Sequence, residues 1–149
     1  GECQCGEPAK ARYLRRLSGP LLDRFDLRVY VDRPAPDQLM DVGKGEPTSV
    51  VCERVTAARA HAERRGHGAN STLDIGMLDE VAPLSPEARL VLRRELDQGR
   101  LSGRGLHRIR RVARTIADLG GGAEVVTERD VVRALYMRVD MLKVAGYAA

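Results

Sequence analysis

Tryptophan is absent from these 149 residues, phenylalanine occurs once and tyrosine four times. With so few aromatic side chains the core has to be built from Leu, Val, Ile, Ala and Met, which suits packed helices better than a β-sandwich. Cysteine is scarce too. Cys3, Cys5 and Cys52 are too few for a fully paired disulfide framework, and Cys3 and Cys5 stand too close for an easy bridge, so a reducing cytoplasm is the expected setting. The Cys-x-Cys of residues 3–5 is half of a zinc spacing. His61 and His67 lie far along the chain and Cys52 falls inside an apolar helical pattern, so two free thiols in a loose terminus are expected and a self-contained zinc site is not. No apolar run approaches the roughly 20 residues of a membrane helix, and no n-region and h-region pattern opens the chain; a soluble protein without membrane contact is expected. The serines have no convincing His and Asp companions, so an independent nucleophilic site is not expected.

What the chain does have is arginine. The formal charge is +4, and Arg greatly outnumbers Lys. A planar guanidinium binds phosphates and carboxylates bidentately, so anionic partners are favoured, although so mild an excess argues only weakly for nucleic acid. The stretch Leu101 to Leu119 concentrates the feature. On a helix, Leu106, Ile109, Val112, Ala113, Ile116 and Leu119 share one side while Arg104, Arg108 and Arg111 lie almost opposite. Ser102 is placed as an N-cap, and Gly120-Gly121-Gly122 stops the helix.

The remaining chain divides at its turn signals. Pro8 opens a short helix reaching Leu17, with Tyr13, Leu14 and Leu17 apolar, and Ser18-Gly19-Pro20 starts another bearing Leu21, Leu22 and Phe25. The period then becomes two: Leu27, Val29 and Val31 alternate with Arg28, Tyr30 and Asp32, which predicts a half-buried strand. A turn-rich connector over 36–47 has room for one helical turn at Asp37 to Met40. Thr48 or Ser49 should cap a helix to about Arg65, with Val51, Val55, Ala58 and Ala62 inward. Gly66 to Thr72 is the best candidate for a mobile tip, and Leu73 to Val81 could hold a short helix. Ser85-Pro86-Glu87 begins a helix with Ala88, Leu92 and Leu96 inward, ending near Gln98-Gly99. Thr127-Glu128-Arg129-Asp130 opens a last helix in which Val131, Leu135, Val139 and Leu142 keep the period.

Two of these stretches carry a family resemblance. Arg12-Tyr13-Leu14-Arg15-Arg16-Leu17-Ser18-Gly19-Pro20-Leu21-Leu22-Asp23-Arg24-Phe25-Asp26-Leu27 resembles the end of the AAA+ core in magnesium-chelatase-like ATPases of the YifB/ComM type. Leu101 to Leu119 resembles that family's lid helix, including His-Arg-Ile and Arg-Val-Ala-Arg-Thr-Ile-Ala-Asp-Leu. The resemblance runs from Cys3 to about Arg138. It implies a mainly α fold: residues 1–34 as the end of an α/β core with one or two strands, and residues 35–149 as a helical lid bundle with a sensor-2 helix at 102–119. It implies that Arg24 is an arginine finger, reaching the γ-phosphate of ATP in the neighbouring subunit, and that Arg104 is the sensor-2 arginine touching the phosphates in its own. Both roles suit an always-charged planar donor facing the charge of a transferring phosphoryl group. Arg108 and Arg111 share the face of Arg104 and are expected to make structural ion pairs or contact a partner. Cys3 and Cys5 match cysteines of a cysteine-rich loop whose earlier members would precede Gly1.

Two departures matter. Gly103 and Gly105 flank Arg104 where relatives commonly carry Ala, each costing about 1 kcal/mol of helix propensity. No Gly-x-x-x-x-Gly-Lys-Ser/Thr loop and no strand ending in paired acids is present, so ATP and magnesium are expected in a longer protein and neither for this chain alone. The expected assembly is a ring, hexameric by resemblance, in the cytoplasm. In ComM-type relatives the ring is linked to DNA handling during natural transformation, in the chelatases to magnesium insertion into protoporphyrin; the resemblance favours the former. The competing reading is a free-standing nucleic-acid module with Ser85 to Leu119 as a helix-turn-helix.

Overall fold

A computed structural model describes residues 5–17, 19–29, 31, 33–40 and 45–138, the side chains of Leu14, Gly19 and Gln38 excepted. The fold is mainly helical. Its elements are α1 (Glu7–Leu14), α2 (Gly19–Leu22), α3 (Pro36–Met40), α4 (Thr48–Arg64), two 3-10 turns (Asn70–Thr72 and Ile75–Met77), α5 (Leu78–Val81), α6 (Pro86–Asp97), α7 (Gly103–Leu119) and α8 (Glu128–Tyr136). The chain forms two compact units, one of Gly1–Tyr30 with Met137–Ala149 and one of Val31–Tyr136.

In the larger unit α7 is the axis, with α4, α6 and α8 packed against it. Ile109, Ala113, Ile116 and Ala117 of α7 are buried beside Val131 and Ala134 of α8, Ala88 and Leu92 of α6, and Ala58 and Ala62 of α4. Small residues on α4 allow close approach, and Leu73, Leu78 and Val126 fill the space beneath. The caps follow the sequence. Ser85 Oγ accepts from Ala88 N at 3.2 Å, Ser102 Oγ from Gly105 N at 3.0 Å, and Asp130 Oδ2 from Thr127 N at 2.9 Å. The α6–α7 turn is closed by Arg100, which forks onto Glu95 at 2.8 and 2.5 Å and holds its carboxyl below the usual carboxylate range. A depressed carboxylate stabilises the fold above its unfolded pKa, and that contribution disappears as pH falls through the lower folded value.

Several expectations need correction. Leu27, Val29 and Val31 form no half-buried strand: they are 52, 59 and 81% exposed, and among its described residues the segment makes only an isolated parallel bridge between Arg28 and Arg138. One bridge cannot satisfy a strand's backbone, and no second ladder adjoins it among the described residues. A second isolated bridge, Leu84 with Val126, ties the α5–α6 loop to the start of α8. Helix α1 ends at Leu14, short of Leu17, and Tyr13 is exposed. Pro47, not Thr48 or Ser49, precedes α4; its fixed φ places the carbonyl to accept from Val50 and Val51, so no hydroxyl cap forms. Val51 and Val55 are exposed because only the C-terminal half of α4 meets α7. The supposed mobile tip is pinned, since Asn70 is buried. Leu119 is also exposed, at the very end of α7. Val139 and Leu142 lie outside the described residues, as do Ser18, Tyr30 and Asp32.

After α7 the chain turns on Gly121 and Gly122, at φ +111° and +75°. A Cβ on Gly122 would stand 1.9 Å from His61 Nδ1, the atom that also accepts from Arg64 at 2.6 Å. Backbone conformation and crowding therefore act together. Gly122→Ala is expected to lower stability by about 1–3 kcal/mol, from strain plus displacement of His61. Gly68→Ala, in open space, should leave the melting temperature nearly unchanged in the same thermal unfolding experiment.

Candidate functional site: a basic cavity at the start of α7

Helix α7 holds five arginines, and they occupy three different environments. Arg110 and Arg114 stand four residues apart on the border of the apolar face, and both are buried. Arg110 Nη2 donates to the Leu78 and Ala82 carbonyls at 2.6 and 3.2 Å and pairs with Asp79 at 2.8 Å, closing the end of α5. Arg114 is 0% exposed and donates to the carbonyls of Glu124 and Ala123 at 2.8 and 2.5 Å. Burial pushes its guanidinium pKa down, opposed by the nearby Asp118 carboxylate, 3.1 Å away in an ionic contact. Asp118, itself buried, accepts at Oδ2 from Arg65 at 2.6 Å and from Asn70 at 2.7 Å, and Asn70 also donates to Thr115 Oγ1 at 3.1 Å.

Arg111 is part-buried. Its Nε and Nη2 both donate to the Leu73 carbonyl, at 2.9 and 2.5 Å, a main-chain acceptor where a structural ion pair was one expectation. The chain around Leu73 is thereby held under α7, and Arg111 becomes a fixed wall.

Arg104 and Arg108 make up the third group. With Ile75, Gly103, His107 and Arg111 they line an open cavity of about 440 Å³. Arg104 is exposed on the first turn, where Ser102 caps the helix and the unsatisfied amides of the N-terminus add positive potential. His107 Nδ1 is buried without a hydrogen-bond partner among the described residues. None of the described lining residues is acidic. The cavity thus has two arginines, Arg104 and Arg108, beside a helix N-terminus, and a third, Arg111, in its wall with Nε and Nη2 already bonded to Leu73.

The two glycines beside Arg104 differ. Nothing lies near a Cβ on Gly103, whereas one on Gly105 would stand 2.9 Å from Leu101 Cδ1, whose side chain is buried over it. Gly105 thus makes room for the Leu101 side chain that seals the first turn, and Gly103 does no such service.

Arg24 belongs to the smaller unit. It is exposed in the turn after α2, with its N–H bonded to the Leu21 carbonyl at 2.9 Å. The structure thus gathers Arg104, Arg108 and Arg111 into one cavity and places Arg24 in a separate compact unit. Cys5 and Cys52 are exposed, Cys3 lies outside the described residues, and no group of three or more His, Cys, Asp or Glu is arranged for a metal among the described residues. No helix among them is long and apolar enough to cross a membrane. The residues that sequence reading missed are Arg65, Asn70, Arg110, Arg114 and Asp118. The one available signal was the four-residue spacing of Arg110, Arg114 and Asp118 beside Ala113 and Ala117.

Residues 45–138, which hold this helical bundle, match the family described as magnesium chelatase, subunit ChlI C-terminal, and the chain belongs to that family. Residues 1–39 match the companion family, magnesium chelatase, subunit ChlI. Among individual relatives, an uncharacterized protein of Mycobacterium tuberculosis is 44% identical over 124 residues, covering 80% of this chain and 24% of the relative. Uncharacterized protein YifB of Escherichia coli is 36% identical over 141 residues, 93% of this chain and 28% of the relative. Competence protein ComM of Haemophilus influenzae is 37% identical over 115 residues, 76% and 23% respectively. The chain spans about a quarter of the length of these relatives.

Two stability outcomes follow from this geometry. Asp118→Ala should cost about 3–5 kcal/mol in denaturant unfolding, because Arg114 and Arg65 lose their shared counter-charge in a dry setting. Gly103→Ala should raise stability by about 0.5–1 kcal/mol through helix propensity, while Gly105→Ala should gain less or lose, since Leu101 must move.

Proposed function

We propose that this chain is the sensor and lid part of a ring-forming AAA+ ATPase. Arg104 is the sensor-2 arginine and acts on the phosphates of ATP bound to the same subunit. Arg24 is the arginine finger and acts on the γ-phosphate of ATP in the next one. The observation that carries the reading is the cavity beneath Arg104, built on a capped helix N-terminus with Arg108 and Arg111 in its wall. Polypeptide outside these 149 residues supplies the phosphate loop and the magnesium ligands, so ATP and magnesium are cofactors of the complete protein. Residues 1–34 form the end of its core and residues 35–149 its lid. A hexameric ring in the cytoplasm is the working assembly, and DNA handling is its task, in keeping with the competence named in one relative.

The chemistry asked of these residues is electrostatic. Charge spreads over the equatorial oxygens as the phosphoryl group moves, and preplaced guanidinium groups stabilise it without reorganising. Arg111 holds Leu73 and so keeps the cavity wall in position, which leaves Arg104 to move with the first turn of α7.

A nucleic-acid module based on α7 has less to work with. Arg110 and Arg114 are buried and Arg111 is committed to Leu73, so a major groove would not meet a full arginine face.

In the complete polypeptide, Arg24→Ala is expected to lower ATP turnover about 10³-fold or more while ATP binding is largely kept. Arg104→Ala is expected to weaken both binding and turnover. Steady-state hydrolysis with nucleotide titration checks both, and wild-type turnover in Arg24→Ala would sink the assignment.

A further inference from the structure

The smaller unit contains a part-buried ion pair that the reading above leaves unused. Arg138 Nη2 stands 3.0 Å from Asp23 Oδ1, and the Arg138 side chain is only 7% exposed. The preceding residue also takes part, because the Met137 carbonyl accepts from Arg28 N at 2.7 Å, and Arg28 and Arg138 form the parallel bridge. The short segment Met137–Arg138 therefore grips the stretch 23–28 at both ends. Between those grips lies Arg24.

On its other side the same stretch is fixed by turn bonds, from Arg24 N to the Leu21 carbonyl at 2.9 Å and from Phe25 N to the Leu22 carbonyl at 3.2 Å, with Leu22 buried beneath. The backbone of Arg24 is thus held before and after the residue, while its side chain stays exposed. An exposed arginine has about four rotatable side-chain bonds and is of little use at a fixed phosphate unless its base is fixed. A buried guanidinium, in turn, is tolerable only with its carboxylate in place, so Arg138 holds Asp23 tightly.

We propose that Arg138 is a positioning residue for Arg24 and acts through Asp23. This rests on the finger reading of Arg24. Arg138 touches no nucleotide in this scheme; it sets where the finger's Cα stands.

The test uses the complete polypeptide assembled as rings. Arg138→Ala is expected to lower kcat about tenfold or more with KM for ATP within about twofold of wild type, and with assembly and melting temperature retained. Because the finger works on the neighbouring subunit's ATP, mixing Arg138→Ala subunits with subunits whose own nucleotide pocket is disabled should restore turnover. The disabled subunits carry intact fingers for the intact pockets of the variant. Wild-type kcat in Arg138→Ala, with Arg24→Ala inactive, overturns the positioning role and leaves the finger reading standing. Failure of the mixed rings to recover turnover also overturns it, since the defect then lies in the variant's own pocket. Full turnover in Arg24→Ala overturns both readings. Should Arg138→Ala not assemble, Arg138→Met decides: it keeps the long side-chain stem and removes the charge that pairs with Asp23, and a reduced kcat at unchanged KM supports the proposal, whereas wild-type kcat overturns it.

Discussion

The larger unit depends on burying positive charge along one edge of α7 without leaving it uncompensated. Arg114 is fully enclosed, yet its charge faces Asp118 and its donors reach two carbonyls of the loop that follows the helix. Asp118 in turn neutralises Arg65 from the end of α4 and orients Asn70 below. Helices α4 and α7, the Asn70 turn and the 123–124 loop are thus fastened by one connected set of charged and polar groups. Apolar packing alone supplies adhesion along α7, but its small alanine contacts are slippery with respect to register. A polar network with fixed partners selects one register.

The same helix divides its labour along its length. Its C-terminal two-thirds holds neighbours through Arg110, Arg111 and Arg114, while its first turn presents Arg104 to an open cavity. The exposed arginine thus stands on a capped first turn, while the turns behind it are fastened to neighbouring segments, and Gly105 allows the close seating of Leu101.

Much of this was legible in the residues. The scarcity of aromatics pointed to helices, Ser85 and Ser102 marked two N-termini, and the glycine run marked the end of α7, all through local chemistry that the structure retains. What could not be read was the fate of individual arginines. Arg108, Arg110, Arg111 and Arg114 are the same side chain at neighbouring positions, and whether each meets solvent, a carboxylate or a carbonyl depends on loops distant in sequence: Leu73, Leu78, Ala82 and Glu124. The supposed strand failed for a related reason. Alternation at Leu27, Val29 and Val31 signals a strand only where a sheet receives it, and the described residues offer a single bridge.

Arg110, Arg111 and Arg114 each bind main-chain carbonyls, and this bears on where sequence change can be absorbed. A carbonyl is the same at every residue, so a change of side chain at the exposed Ala123 or Glu124 keeps the bonds that hold that loop, whereas Leu73, Leu78 and Ala82 are also buried and are restrained by packing. The helix has no such freedom, since lysine cannot reproduce a fork that spans two acceptors. Mutational tolerance is therefore lopsided: the restraint sits along α7 and at the buried Leu73, Leu78 and Ala82, and the 123–124 loop is left free to diversify.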